Sequence, residues 1–547
     1  MRFSTLFASA IVITATACGQ GSIFKASLGQ GGVQTNAACL SPGLGAGGIL
    51  IVFSSTANNL TPEGNDFASD IYVRDRSLGT TTRLTFAVGG GEPNGACSGS
   101  SISSDGRYVC FESTASNLTT TTDTNGTVDV FLLDRLTGVT VHVSKGTSGV
   151  AGAGDSHLAR LSASGTTVVF RSTAQLVAAD TTGFADVYCY DVPSGVLSLC
   201  SVATGGIPGN NHSGVPDVSA DGASIVYQSS ASNLVVGDTN AKTDCFLWSG
   251  GVTTRVSTGA GGSQISDHTT APSISGDGSK VAMRSASGGY GAANGFDQVR
   301  VKTIATGAVA TASVGTTGAL ALCGSALGML SYDGRYCVFS SCGTNVVPAD
   351  LSANDDVFAR DLMNGVTLHL SASSGGTPGN GGSGLSRMAA SPNTYAFCFR
   401  SSATNLVPFD QNGVEDLFIH DLSAIFGGIG SGAPVVGQPY GMRVRSPVFP
   451  GSGYLGACAF GIGQGFQAGA VAFPLDFDDL FLLSLGLPEV FSGFIGTLDA
   501  AGEADLTLNT PAVPGLAGVT VWCCVGVLST DFSTPLAASN PVPLTFQ

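Results

Sequence analysis

Charge is scarce in this chain: Asp, Glu, Lys and Arg together make up 11% of its 547 residues. Disorder needs the opposite balance, low hydrophobicity with high charge; the hydrophobic fraction here is 43%, so the chain folds. The basic sign is the scarcer one, 22 Lys and Arg against 38 Asp and Glu, for a net charge of −16 with no basic cluster. That excludes nucleic acid and an anionic membrane surface as partners. Beyond the first residues no apolar stretch reaches the ~18 residues of a membrane span. The G-x-S-x-G, H-E-x-x-H and P-loop motifs are missing, and no two cysteines form a C-x-x-C zinc pair. Sialidase Asp boxes are missing too. Carboxylates are numerous enough to pair by chance, so their count decides nothing about glycosidase chemistry.

Glycine is plentiful, 78 residues, twice the usual ~7%. With abundant Ser and Thr it suits many short strands joined by tight turns. The length calls for two or more units, or one large repeat array.

The first seventeen residues read as an export signal: Arg2, the apolar Leu6 to Ile13, and an Ala15-Thr16-Ala17 cleavage site. Cys18 follows directly. That fits lipidation of a bacterial lipoprotein, with Ala15 where Leu is commoner; a plain secreted start is the alternative. The protein is expected to be secreted or held in the cell envelope, touching a membrane only through such an anchor. Thirteen further cysteines suit an oxidising compartment. Cys189 and Cys200, on two strands joined by a short turn, are the best disulfide candidates. Cys39 and Cys97 fall at equivalent places of neighbouring repeats and could also meet. Buried free thiols are the alternative throughout.

A repeat organises the chain. One unit runs Ser101-Ile102-Ser103-Ser104-Asp105-Gly106-Arg107-Tyr108-Val109-Cys110-Phe111, then Asp129-Val130-Phe131-Leu132-Leu133-Asp134, Thr137-Gly138 and Val141-His142-Val143-Ser144. The residue matching Phe111 recurs at Phe53, Phe170, Tyr227, Met283, Phe339 and Phe399, every 56 to 60 positions. Each unit holds four short extended runs, with a Thr-Gly or Ser-Gly hairpin turn before the last. Four antiparallel strands per repeat, seven times over, predict a seven-bladed β-propeller. The seventh repeat stops at Asp421-Leu422 without its fourth strand, and Ile23 to Leu28 precedes the first repeat like an orphan fourth strand. It is expected to pair with the third strand of blade seven and close the ring.

These units resemble TolB-type (WD-like) propeller repeats. Ser219-Ala220-Asp221-Gly222, Ser275-Gly276-Asp277-Gly278 and Ser331-Tyr332-Asp333-Gly334 match the turn, and Asp70-Ile71-Tyr72, Asp186-Val187-Tyr188 and Asp356-Val357-Phe358 match the later strand. Ser164-Gly165 and Pro392-Asn393 depart from it. The resemblance covers about Ser22 to Leu422 and implies a binding platform rather than a named activity. The chain then divides into a signal peptide (1–17), the propeller (18–424), a Gly-rich linker (425–432) and a β-sandwich (433–547). In the last, Cys523 and Cys524 point to opposite faces of one strand, so at most one of them readily reaches Cys458.

Two polar patterns carry candidate chemistry. The triplets Asp123, Asn125, Asp129; Asp238, Asn240, Asp244; and Asp410, Asn412, Asp416 place oxygens at spacings that could wrap calcium, the one cofactor suggested. The alternative is an Asx turn at each first Asp and strand capping at each second. The second Asp is read in every repeat, as Asp70 in the first and Asp297 in the fifth. His157, His212 and His268 precede blades three, four and five, where three imidazoles could hold a transition metal. Polar loop residues are the alternative. His142 and His369, on outer strands, read as solvent-facing. The expected function is a protein- or glycan-binding scaffold; the alternative is a metal-assisted polysaccharide lyase or hydrolase using the channel.

Overall fold

The computed structural model describes residues 22–545 with breaks, the longer ones at 389–394, 429–437, 460–465, 474–489 and 510–519. The expected signal peptide and Cys18 lie outside the described residues. The fold is all-β, and its helices are single 3-10 turns. Two compact units are present: Ile23–Leu422, and a second built mainly from Ser423–Gln547.

The first unit consists of repeated four-stranded antiparallel sheets, seven among the described residues. In the second sheet the strands are Cys97–Ile102, Tyr108–Ser113, Asp129–Asp134 and Val139–His142, paired in chain order. The turn between the first two explains the Ser-x-Asp-Gly signature. Ser103 Oγ donates to Asp105 Oδ1 at 2.6 Å, that carboxylate accepts the Arg107 amide, and Ser103 Oγ accepts the Tyr108 amide. Gly106 takes φ 73°, a conformation a side chain resists. The same 2.6 Å bond recurs at Ser219–Asp221, Ser275–Asp277 and Ser331–Asp333. In the third sheet Ser164 replaces the Asp and bonds Ser162 instead.

Apolar alternation along the second and third strands packs each sheet on its neighbours. An aromatic pair repeats from sheet to sheet, stacked in Phe111–Phe131 and Phe170–Tyr188 and tilted in Phe339–Phe358, with centroids 5.6–5.7 Å apart. The fifth sheet departs from this. Met283 there opposes Arg300, which is fully buried.

The last sheet of this unit takes Ser383–Met388, Ala396–Ser401 and Asp416–Asp421 from its own repeat, and its fourth strand is Ser22–Lys25. The Ala26 amide donates to the Leu417 carbonyl at 2.7 Å, and Ser27 Oγ donates to Asp416 Oδ1 at 2.6 Å. Pairing in this way covers an edge that would otherwise stand open.

In the second unit, Ile425–Gly428, Pro439–Arg445, Glu503–Asn509 and Phe491–Ser492 form one sheet. Residues 425–428, expected within a linker, are therefore a strand, with Phe426 opposite Val444. The other main sheet centres on Gly453–Ala459 and Thr520–Leu528. Met442, Val444, Tyr454, Leu506, Val525 and Val527 share one core between the two sheets. Cys458 lies directly opposite Cys523 and is disulfide-bonded to it, while Cys524 is a buried free thiol, as strand alternation requires.

A second disulfide joins Cys323 to Cys342. The expected Cys189–Cys200 bridge is not formed; both are free thiols. The two thiols are nonetheless in contact: Cys200 is buried in the core, and burial with Cys189 beside it pushes its thiol well up. Cys39 and Cys97 are free and buried in separate clusters.

Candidate site at the central cavity

The first strand of each repeat is the innermost. One cavity of about 400 Å³ is lined by residues from all seven sheets, from Leu40 and Ser41 of the first to Arg400 of the seventh. Around it the first strands share a defect. Register slips between His157 and Arg160, between Gly214 and Asp217, and at the matching places of the first, second, fifth and sixth sheets; in the seventh it slips one residue later. At this bulge Ser41, Leu158, Val215 and Ala271 take φ of 49°, 58°, 49° and 50°, and Gly99 takes 62°. For residues with a side chain that conformation costs about 1–2 kcal/mol each. Such bulges bend a strand and turn its backbone, here towards the cavity.

Just past the bulge the repeats present Gly43, Ser101, Arg160, Asp217, Ser273 and Met329 to the cavity or its inner continuation. Arg160 is buried, and burial pushes its guanidinium below its ordinary pKa. Asp217 is pushed upward by burial, opposed by Arg160. Glu112 Oε1 accepts the Ala159 amide at 3.1 Å, and Gln228 Oε1 accepts the Ala271 amide at 2.9 Å, so side chains of one sheet hold the bulge of the next. Sequence reasoning missed this constellation. The available signal was Arg160 and Asp217, opposite charges at one repeat position, each interrupting an apolar strand in a chain short of charge.

The three expected metal-ligand histidines do not meet. His212 Nδ1 accepts the Ala185 amide at 2.9 Å and His268 Nδ1 accepts the Thr243 amide at 3.0 Å, each bracing the preceding sheet as Asp155 does for Val128. His157 sits two positions further along its repeat, with Nδ1 3.6 Å from Glu112 Oε2. Among the described residues no three His, Cys, Asp or Glu side chains gather as a metal would need.

At the expected calcium triplets the chain brings its own basic side chains. Asn125 closes an Asx turn on Asp123 Oδ1 and donates Nδ2 to Asp129 Oδ2 at 2.9 Å; Asn240 donates to Asp244 Oδ2 in the same way. One fourth-strand position, the partner of the third residue of the third strand, supplies a basic side chain. It is Arg83 at 3.5 Å from Asp70, His142 at 3.1 Å from Asp129, and Arg255 at 3.4 Å from Asp238. It is His369 at 3.2 Å from Asp356, and Lys25 at 2.7 Å from both Asp410 and Asp416. His142 and His369 are therefore buried, not solvent-facing, because the buried carboxylates need them.

Two sheets break the pattern. In the fifth, Thr311 holds that fourth-strand position and Gln298 stands where the others have the second Asp; Asp297 falls one residue early and pairs with Arg284 at 2.7 Å. The third sheet keeps both Asp180 and Asp186 but has Leu199 in the same fourth-strand position. Burial, with Asp180 adding to it, raises the Asp186 pKa to about 6.

No protein-family model matches the chain, and no curated protein matches it. The repeated four-stranded antiparallel sheets are consistent with a TolB-like β-propeller, and solved structures of propeller proteins are similar to the chain. One is the TolB-type protein of Agrobacterium tumefaciens, 16% identical with a TM-score of 0.33, covering 54% of this chain and 88% of that one. Another is the β-propeller domain of the Trilobed protease from Pyrococcus furiosus, 11% identical at TM-score 0.44, covering 70% and 93%. A puromycin-hydrolysing peptidase of Mycobacterium tuberculosis is 12% identical at TM-score 0.41, covering 78% and 61%.

Proposed function

We propose that the chain is an exported seven-bladed β-propeller, closed by its N-terminal strand and followed by a β-sandwich, that binds a protein or glycan at the mouth of its central cavity. One observation carries this reading: non-glycine residues of four sheets hold positive φ around a single cavity lined by all seven. Strain of that kind persists only where the surroundings over-determine it, and it gathers where a backbone must be presented. Mixed polar and apolar lining suits recognition. Export is supported by the Arg2 to Ala17 leader and by two disulfides, which suit an oxidising compartment.

Ser98 is exposed and lines the cavity, so a bulky ring there fills the mouth. Peptide and glycan arrays probed with the parent and with Ser98→Trp test the reading. Ligands held by the parent and lost by the variant support it; ligands held equally by both contradict it.

A further inference from the structure

We propose that Arg160 receives a carboxylate of an acidic peptide entering the cavity mouth, an inference that rests on the channel-mouth reading above. Arg160 is 7% exposed, on the wall of the cavity. Its Nη1 donates to the Ala159 carbonyl, and its buried Nε has no partner among the described residues. Asp217 and Glu112 act on Arg160 through space, and neither forms an ion pair with it among the described residues. Asp217 Oδ2 accepts Ser273 Oγ at 2.8 Å and the Ile274 amide at 3.0 Å. Glu112 accepts the Ala159 amide at 3.1 Å and lies 3.6 Å from His157. A buried guanidinium left with open donors is costly, and a planar carboxylate matches its fork.

Four charged side chains line the cavity, Arg160 and Arg400 beside Glu112 and Asp217. Ser54, Glu112, Arg171, Gln228, Arg284, Ser340 and Arg400 occupy one second-strand position, the neighbour of its last residue, in successive sheets. Three are arginines and one is an acid. Arg400 meets Glu415 at 3.5 Å with both half-exposed. Arg284 is paired with Asp297 at 2.7 Å, so Arg171 is the arginine of this ring without an ion pair among the described residues.

A peptide suits the site better than an acidic sugar. An extended chain can lie along the first strands, whose bulges line the cavity. Leu40, Leu158, Val215, Pro216, Pro272 and Met329 add apolar surface, and the described lining holds no aromatic face on which a sugar ring would stack.

The probe is a labelled six-residue peptide carrying two glutamates, with its two-glutamine twin and a labelled oligogalacturonate as the other arms. Binding to the full chain is read by fluorescence anisotropy, with thermal melts confirming that each variant folds. The glutamate peptide is expected to bind the parent, to weaken roughly tenfold or more in Arg160→Met, and to recover in part in Arg160→Lys. The glutamine twin is expected to bind weakly throughout. No binding by the parent, equal binding of the twins, or indifference to Arg160→Met overturns the proposal, as does Arg160-dependent preference for the oligogalacturonate. Binding that ignores Arg160 yet disappears in Ser98→Trp overturns the carboxylate assignment and leaves the channel-mouth reading standing. Binding indifferent to Ser98→Trp removes that reading too.

Discussion

Lys25 Nζ lies 2.7 Å from Asp410 Oδ1, a partner 385 positions away, and 2.7 Å from Asp416 Oδ2. The three side chains are 6%, 3% and 1% exposed. In four other sheets the equivalent basic side chain comes from the repeat's own last strand; here the N-terminal segment delivers it. Replacing Lys25 by Met leaves two buried carboxylates facing each other, and breaking a buried pair in this way costs about 3–5 kcal/mol. Urea denaturation of Lys25→Met at pH 7 is expected to show a loss of that order. A loss no larger than that of an exposed substitution such as Lys145→Met would contradict the pairing.

The third sheet predicts the opposite sign. Asp186 has a folded pKa of about 6 against an ordinary 3.8, raised by burial and by Asp180 with no cation at Leu199. Between those values the folded state binds more protons than the unfolded one, so stability falls as pH rises through the window. Asp186→Asn is expected to match the parent near pH 4 and to exceed it above pH 6, by up to about 2–3 kcal/mol. Paired denaturation curves across that range check it. A variant less stable at every pH would show that the Ser201 and Thr182 bonds to the carboxylate outweigh its burial.

The bulges predict a further asymmetry. Val215 is β-branched at φ 49°, so Val215→Gly relieves strain of about 1–2 kcal/mol, partly offset by lost side-chain contact. Gly99 at the matching bulge has no room: a Cβ there would lie 2.5 Å from the Glu112 carboxyl. Thermal melts are expected to show Val215→Gly neutral or stabilised and Gly99→Ala destabilised. If both substitutions lower the melting point alike, Val215 is not strained.

In the second unit, Cys458 and Cys523 close a loop across 65 positions. Chain entropy puts such a bridge at about 4 kcal/mol. Cys458→Ser is expected to speed hydrogen exchange in Gly453–Ala459 and Thr520–Leu528, leaving Tyr108–Ser113 of the first unit unchanged. Uniform exchange across both units would contradict a locally acting bridge.

Much of the fold was legible because each repeat states its own turns. Ser103, Asp105 and Gly106 specify one hairpin through bonds within six residues, and Asp129-Val130-Phe131 marks a strand by local alternation. What escaped was non-local or one residue out of phase. Gln298, not Asp297, holds the repeat position, because a run matched by residue type slides by one without penalty in sequence. His142 looks like a surface residue until Asp129 is seen buried beside it. Arg160 and Asp217 sit 57 positions apart on different sheets, so only the circular arrangement brings them to one cavity. The strand at Ile425–Gly428 was hidden by glycines that normally mark a linker, although its partner Pro439–Arg445 follows closely.

The central claim is that the opening strand of the described chain completes the last sheet and so closes the cavity. Hydrogen exchange read by mass spectrometry tests it directly. Residues 22–28 and Asp416–Asp421 are expected to exchange together, as slowly as the interior strand Tyr108–Ser113. Rapid exchange of residues 22–28, with Asp416–Asp421 behaving as an open edge, would contradict it.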